Sequence, residues 1–262
     1  MRNLVNINRI VVKVGTSVLT NPDGTLNESR LQKIVEVCAK LRYEGKAVVL
    51  VTCGAIGTGV AKLRLPHFPT DMQEKQACSA VGQPLLMSIY DKHFGIHGIT
   101  VAQILITKYT VQRDDTLSNV TNTLNTLFNN GVIPIVNEND PLINDEIKVG
   151  DNDTLAAHVA NMIKADLLVL YTDVDGLYDK DPRQPGAKII PEVTAITDKI
   201  KAGTIDSANP RNTSGMATKL SAAVVASKSK TKTVILNGNN PSVVLEVLKG
   251  VRYGTYFDLL WR

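Results

Sequence analysis

Cysteine is scarce in this chain of 262 residues, which carries three, at Cys38, Cys53 and Cys78. The count is odd and no pair has C-x-x-C spacing. A disulfide framework or a zinc site is therefore not expected, and a reducing compartment is. Histidine is as sparse: His67, His93, His97 and His158 are spread out with no metal-ligand spacing, so the expected set of protein metal ligands is none. Long apolar runs are missing as well. Nothing approaches the roughly 20 apolar residues of a membrane helix, and Met1-Arg2-Asn3-Leu4-Val5-Asn6 lacks the apolar region of a signal peptide. These absences make a cytoplasmic protein the expectation. Two nucleotide fingerprints are absent too. The stretch Gly54-Ala55-Ile56-Gly57-Thr58-Gly59 is not G-x-G-x-x-G, and no G-x-x-x-x-G-K-[ST] occurs, which excludes a dinucleotide fingerprint and a P-loop. The net charge is only +4 and the lysines are scattered, so the chain has no nucleic-acid footprint. Lys228-Ser229-Lys230-Thr231-Lys232 reads as a solvated helix end.

What is present is ordinary for a globular enzyme: 44% hydrophobic and 21% charged residues, in a chain long enough for one large domain or two lobes. Apolar runs of strand length alternate with helical patterns. Ile10–Val14, Ala47–Val51, Ile99–Ile104, Val132–Val136, Leu167–Tyr171 and Val234–Leu236 read as strands. Asn27 is placed to cap a helix whose apolar face is Leu31, Ile34, Val35, Cys38 and Leu41, with Gly45 as its stop. Further helices are predicted over Asp71–Phe94, Asp114–Asn130 and Asp151–Ile163. Residues 53–59 read as a glycine-studded turn, and Ile143–Val149 as a hairpin. Continuous β-branched strands separated by helices imply a mainly parallel sheet covered on both faces. Ligands of such sheets bind at the carboxyl ends of the strands.

The polar turns fall at those ends. Lys148-Val149-Gly150-Asp151-Asn152-Asp153-Thr154 joins a lysine, a glycine, carboxylates and an amide where a helix begins. Lys13-Val14-Gly15-Thr16-Ser17 follows the first strand, and Asn212-Thr213-Ser214-Gly215-Met216-Ala217-Thr218-Lys219 opens a late helix. Together they read as a phosphoryl-transfer site, where the work is positioning and neutralising charge on the transferring group. Taken singly each residue has a plainer reading. Lys13 and Lys219 also fit solvated lysines, Asp153 a helix-capping aspartate, and Cys53 a small buried residue.

The set Lys13-Val14-Gly15-Thr16-Ser17, Val51-Thr52-Cys53-Gly54-Ala55-Ile56, Asn137-Glu138-Asn139-Asp140, Ile147–Asp153, Thr172-Asp173-x-x-Gly176-Leu177-Tyr178 and Gly215-Met216-x-Thr218-Lys219 resembles the amino acid kinase family. The motifs come in the family's order and span nearly the whole chain. Asn-Glu-Asn-Asp followed by Ile-Lys-Val-Gly-Asp-Asn-Asp is similar to the members that phosphorylate L-glutamate at the start of proline synthesis. The resemblance implies a three-layer αβα sandwich with a mainly parallel sheet of about eight strands. It also implies an amino-acid lobe over about residues 1–170 and a nucleotide lobe over about 171–262. The activity implied is ATP-dependent phosphorylation of the glutamate γ-carboxylate to γ-glutamyl phosphate.

The resemblance also assigns roles. Lys13 and Lys219 neutralise charge in the transition state, and Asp153 holds both ammonium groups. Cys53, Gly54, Ala55, Asp140, Asp151 and Asn152 are implied to meet the amino acid. Lys13, Gly15, Thr16, Thr172, Asp173, Ser214, Gly215, Met216 and Lys219 are implied to meet the nucleotide. Magnesium (Mg2+) accompanies ATP and keeps most of its shell from phosphate and water. Implied partners are proline as a feedback inhibitor, through the loop from Lys62 to Thr70 and the helix after it, a second or further copies of the chain as a homodimer or homotetramer, and hand-off of product to glutamate-5-semialdehyde dehydrogenase. Cys53 departs from the family's usual serine, and Asn212 and Ser214 from its usual glycines. Many members carry a C-terminal PUA domain, for which a chain ending at Arg262 leaves no room. Other members act on aspartate, acetylglutamate, carbamate or UMP, and a catalytically dead amino-acid sensor on the same fold is a reading of another class.

Overall fold

The computed structural model describes the chain except residues 1–3, 5, 23, 143–150, 199, 201–214 and 260–262. Its centre is a sheet of eight strands: β1 (Arg9–Val14), β2 (Ala47–Val51), β3 (Val101–Ile106), β4 (Ile133–Glu138), β5 (Leu167–Thr172), β6 (Glu192–Val193), β7 (Lys232–Asn237) and β8 (Thr255–Phe257). Their spatial order is β3-β4-β2-β1-β5-β7-β8-β6. Only the β7–β8 pairing is antiparallel among these; the others are parallel. The mainly parallel sheet read from the sequence is the one found.

The helices are α1 (Thr16–Leu19), α2 (Glu28–Tyr43), α3 (Ala55–Leu63), α4 (Met72–Ile96), α5 (Lys108–Gln112), α6 (Asp114–Asn129), α7 (Asn152–Met162), α8 (Met216–Ser227) and α9 (Val243–Leu248). Side chains alternate across a strand, and the alternation separates two cores. Ile10, Val12 and Val14 of β1 share one core with α2 and α4 residues such as Leu31, Ile34 and Leu86. Val11 of β1 shares the other with Leu155 and Ala160 of α7 and Ala223 of α8. Helices therefore cover both faces, in three layers. No helix among the described residues is long and apolar enough to cross a membrane.

The α2 expectation holds in detail: Asn27 Oδ1 accepts from the Arg30 N–H, and Leu31, Ile34, Val35, Cys38 and Leu41 are all buried. Three differences have physical causes. First, β3 starts two residues later than expected. The Ile99 N–H is spent closing α4 on the Phe94 carbonyl, after a turn through Gly98 at φ 61°. Second, the glycine-studded turn is helical from Ala55 onward. Its glycines serve packing. A Cβ on Gly59 would sit 1.8 Å from the Cys78 carbonyl oxygen, and one on Gly82 would sit 1.9 Å from that of Ala55. The backbones of α3 and α4 thus touch where side chains are absent. Third, the short strands β6 and β8 give almost no apolar run to read, yet they complete the edge of the sheet. The hairpin expected over Ile143–Val149 lies outside the described residues, as do Asn212 and Ser214.

Strand order places the site. The chain moves from β1 to β2 on one side, then crosses from β4 back to β5 on the other side of β1. A crevice forms at such a reversal, outside the carboxyl ends of the strands. Lys13 lies there, in register with Val51 of β2 and Leu170 of β5.

Candidate active site

Lys13 belongs to the same strand face as Val11, so its side chain is sent toward α7 and α8. Two helices of small residues receive it. On α7, Asp153 is followed at helical spacing by Ala156, Ala157 and Ala160; on α8, Lys219 is followed by Ala222, Ala223 and Ala226. Alanines at these positions let the two helices approach closely, and Asn161 Nδ2 ties them by donating to the Val225 carbonyl at 3.0 Å. Their first turns converge on one carboxylate. Lys13 Nζ lies 2.6 Å from Asp153 Oδ1, and Lys219 Nζ lies 3.1 Å from Asp153 Oδ2. Thr218 Oγ1 donates to the same Oδ2 at 2.9 Å. Asp153 is wholly buried and Lys219 only 4% exposed.

Two buried ammonium groups share one carboxylate, and their titration reflects it. Burial alone pushes Lys13 down, but the Asp153 carboxylate reverses this, with help from Cys53 and Asp151, and leaves its pKa raised. Burial also pushes Lys219 down; Asp153 opposes that only in part, Lys13 repels it, and the net shift is downward. With both lysines charged the three groups carry an excess positive charge, held apart from bulk water, where an anion is strongly attracted. Asp153 Oδ1 faces Lys13, and its Oδ2 faces Lys219 and Thr218. Thr218 was quoted in the sequence motif but given no role; its position one residue before Lys219 was the available signal.

Turns surround this centre. Gly15 caps α1, and a Cβ there would lie 3.4 Å from Lys13 Nζ and 3.5 Å from the Tyr171 carbonyl oxygen, so the backbone passes close to both. Gly54 opens α3 at φ 105°, a conformation that favours glycine. Asp151 caps α7, accepting from the N–H groups of Asp153 at 2.7 Å and Thr154 at 3.0 Å. Burial, then the Asp153 charge, raises its pKa. Gly215 caps α8 and Met216 begins it. Helix N-termini carry N–H groups without intrahelical acceptors and a positive dipole end, both suited to phosphate and carboxylate oxygens.

The amide of Asn152 binds neighbouring strands together. Its Nδ2 donates to the Thr52 carbonyl at 2.7 Å, Cys53 Sγ at 2.9 Å and Asn137 Oδ1 at 3.0 Å. The donor end of this residue, implied to meet the amino acid, is therefore engaged with protein acceptors. Burial raises the pKa of the Cys53 thiol, opposed by Lys13, Asn152 and Thr16, so Cys53 is a neutral group here. Thr52 Oγ1 and the Tyr90 hydroxyl are 2.7 Å apart. Asp140 opens a short 3-10 turn after β4, and Ser79 of α4 donates to its Oδ2 at 2.7 Å. Thr172 ends β5 and donates to Asp173 Oδ1 at 3.1 Å, while Asp173 itself is exposed. Lys13, Asp153 and Lys219 are thus joined in one group and Asn152 and Cys53 in a neighbouring one, and Gly15, Gly54, Asp140, Asp151, Thr172 and Gly215 stand on the strand ends and helix starts around them.

The model of the amino acid kinase family matches residues 8–237. The glutamate 5-kinase of Clostridium acetobutylicum is 45% identical over 255 residues, covering 97% of this chain and 96% of that protein. The glutamate 5-kinase of Clostridium perfringens is 46% identical over 254 residues, covering 95% and 94%. Among solved structures, the carbamate kinase from Giardia lamblia bound to AMP-PNP superposes with a TM-score of 0.69 at 17% identity, over 97% of this chain and 99% of that one, a likeness of fold.

Proposed function

The chain belongs to the amino acid kinase family, and from that premise we propose that it phosphorylates the γ-carboxylate of L-glutamate with ATP, giving γ-glutamyl phosphate and ADP. This is the first step of proline biosynthesis, and it makes the protein a phosphotransferase with a carboxyl group as acceptor. The observation that carries the reading is Asp153 holding Lys13 at 2.6 Å and Lys219 at 3.1 Å in a buried centre. The choice of glutamate follows the relatives that match nearly end to end.

The step itself is a displacement at phosphorus. A γ-carboxylate oxygen of glutamate forms a bond to the γ-phosphorus of ATP, and the bond to the β–γ bridging oxygen breaks, its electron pair leaving with ADP. The carboxylate is already ionised at neutral pH, so no general base is needed. Lys13 and Lys219 oppose the negative charge spread over the transferring group, and Asp153 keeps the two cations in register. Backbone N–H groups of the Gly15 and Gly54 turns assist. Cys53, Gly54, Ala55, Asp140, Asp151 and Asn152 form the glutamate side; Gly15, Thr16, Thr172, Asp173, Ser214, Gly215 and Met216 form the ATP side. The boundary between lobes falls at about residue 170, in β5. Magnesium would accompany ATP and would supply neutralisation of phosphate charge, with no dedicated protein ligand assigned to it. The proposal extends to a cytoplasmic homo-oligomer, to inhibition by proline at or near the glutamate side, and to product hand-off to a dehydrogenase.

The test is ATP consumption with magnesium and hydroxylamine, which traps an acyl phosphate as a hydroxamate. L-Glutamate is offered beside L-aspartate, N-acetylglutamate, carbamate and UMP. Hydroxamate with glutamate alone supports the assignment. Turnover with a different acceptor overturns the substrate and keeps the lysine roles. No turnover with any acceptor overturns the kinase reading.

A further inference from the structure

Four side-chain amides run in a line from the glutamate side to the edge of the sheet. Asn152 Nδ2 donates to Asn137 Oδ1 at 3.0 Å, Asn137 Nδ2 donates to Gln83 Oε1 at 2.9 Å, and Gln83 Nε2 donates to Gln103 Oε1 at 2.9 Å. All three bonds run in the same direction, and Gln103 ends the line as an acceptor. Backbone groups set that direction independently. The Thr52 carbonyl requires the nitrogen of Asn152 to face it, and the Glu138 N–H requires the oxygen of Asn137 to face it. With its oxygen so occupied, Asn137 must donate outward, and only the oxygen of Gln83 can receive that bond. Asn137 and Gln83 are buried at 3% and 6% exposure, whereas Gln103 is exposed on edge strand β3.

Resting on the glutamate kinase reading, we infer that Gln83 is a positioning residue for the amino-acid substrate, acting through Asn137 and Asn152 without touching the reacting atoms. Its acceptor oxygen locks the amide of Asn137. Asn137 in turn holds Asn152, and Asn152 holds Thr52 and Cys53 at the turn where glutamate is placed. The centre of Lys13, Asp153 and Lys219 receives none of these bonds. The relay therefore acts on glutamate binding and leaves ATP binding alone. A buried polar chain of this kind is held firmly only when each member keeps its partner.

Kinetics of Gln83→Leu and Gln83→Glu, followed by hydroxamate formation with separate titration of glutamate and ATP, test the inference. Leucine fills similar volume but removes the acceptor, and the KM for glutamate is expected to rise about tenfold, with the KM for ATP and kcat close to the parent. Glutamate at position 83 keeps an acceptor toward Asn137, while exposed Gln103 is able to turn its amide and donate; its KM is expected within about threefold of the parent. Should Gln83→Leu fail to fold, Gln103→Leu gives a weaker form of the test, with a rise of about twofold to threefold. The inference is overturned by an unchanged glutamate KM in Gln83→Leu, by equal rises for glutamate and ATP, by Gln83→Glu as impaired as Gln83→Leu, or by an unchanged Gln103→Leu where that variant is the one that folds. Failure of the parent protein to form glutamyl hydroxamate refutes the kinase reading instead, so the two failures are told apart by the parent alone.

Discussion

Asp153 and Asn152 are neighbours in the chain, yet they organise their surroundings by opposite means. Around Asp153 two ammonium groups and a hydroxyl gather on one carboxylate. Around Asn152 the polar groups are neutral amides, a backbone carbonyl and a thiol, linked in a line that reaches the sheet edge. The difference matches what each region is asked to do. A buried charge has reach in a low-dielectric interior, so the charged group acts on an anion that arrives later. A neutral amide has little reach and much direction, so a chain of amides fixes shape.

Breaking the charged side is expected to give the largest effect. Asp153→Asn removes the carboxylate that both buried ammonium groups contact, the kind of change that costs about 3–5 kcal/mol, and it releases Lys13 and Lys219 from register. Urea unfolding is expected to show that loss, and kcat to fall on the order of 10^3-fold. A variant of normal stability and rate removes Asp153 from the centre of the account. Next comes Lys219→Ala, which keeps the carboxylate and one cation. Loss of one stabilising group typically costs about 10^2 to 10^3 in kcat, with the KM for glutamate nearly unchanged. Unchanged turnover, measured by ADP release, refutes the role assigned to Lys219.

The amide side responds differently to a change behind it. Gly82→Ala places a methyl group 1.9 Å from the Ala55 carbonyl oxygen, so α3 and α4 have to separate. Overpacking of this kind costs about 1–3 kcal/mol. Both Ala55, which opens α3, and Gln83, on α4, are displaced by it. The glutamate KM is expected to rise several times more than the ATP KM; equal changes erase the distinction between the two regions. Titration separates them as well. Lys219 has its pKa lowered by burial and by Lys13, so it sheds its proton earlier than an ordinary lysine as pH rises. The positive charge then falls, and kcat/KM is expected to decline on the alkaline side below the usual lysine value of about 10.4. Lys219→Arg, which does not titrate in that range, is expected to move the decline upward.

The two regions were unequally legible in the sequence. Lys13, Asp153 and Lys219 were legible only as a set: singly each fits a solvated lysine or a helix-capping aspartate, and it is the ordered family motifs that imply one shared site. The central strands were legible by themselves, since Ile10–Val14 and Leu167–Tyr171 are β-branched and leucine runs. Gln83 gave no such sign: a glutamine within a long helix is most simply a surface residue, and its burial goes with contacts to Asn137 of β4 and Gln103 of β3, far off in the chain. The helix α3 was hidden because Gly57 and Gly59 read as turn residues, and only distant contacts explain them, Gly59 against Cys78 and Gly57 beside the Gly24 carbonyl. Strands β6 and β8 were hidden by brevity. Local pattern reports what a residue does to its own segment; contacts between distant segments leave no local period to find.

Cys53 gives the smallest expected effect, and it sharpens the comparison most finely because it lies where the two regions meet. Its Sγ accepts from Asn152 at 2.9 Å, and the Lys13 charge lowers its pKa against the upward push of burial. As a thiol it is a weak acceptor and a weak donor. A serine in its place offers a smaller, stronger acceptor to the same Nδ2 and a better donor to a substrate oxygen. Cys53→Ser is therefore expected to preserve or improve glutamate affinity, by no more than about threefold, the scale of one modest hydrogen bond. The kcat is expected to hold, because the hydrogen bond to Cys53 Sγ comes from Asn152 on the amide side. Titration of glutamate with each form measures the ratio directly. A large loss of affinity shows that the turn is fitted to the bulk of sulfur, and a fall in kcat without change in KM assigns Cys53 to the charged side of the boundary instead of the amide side.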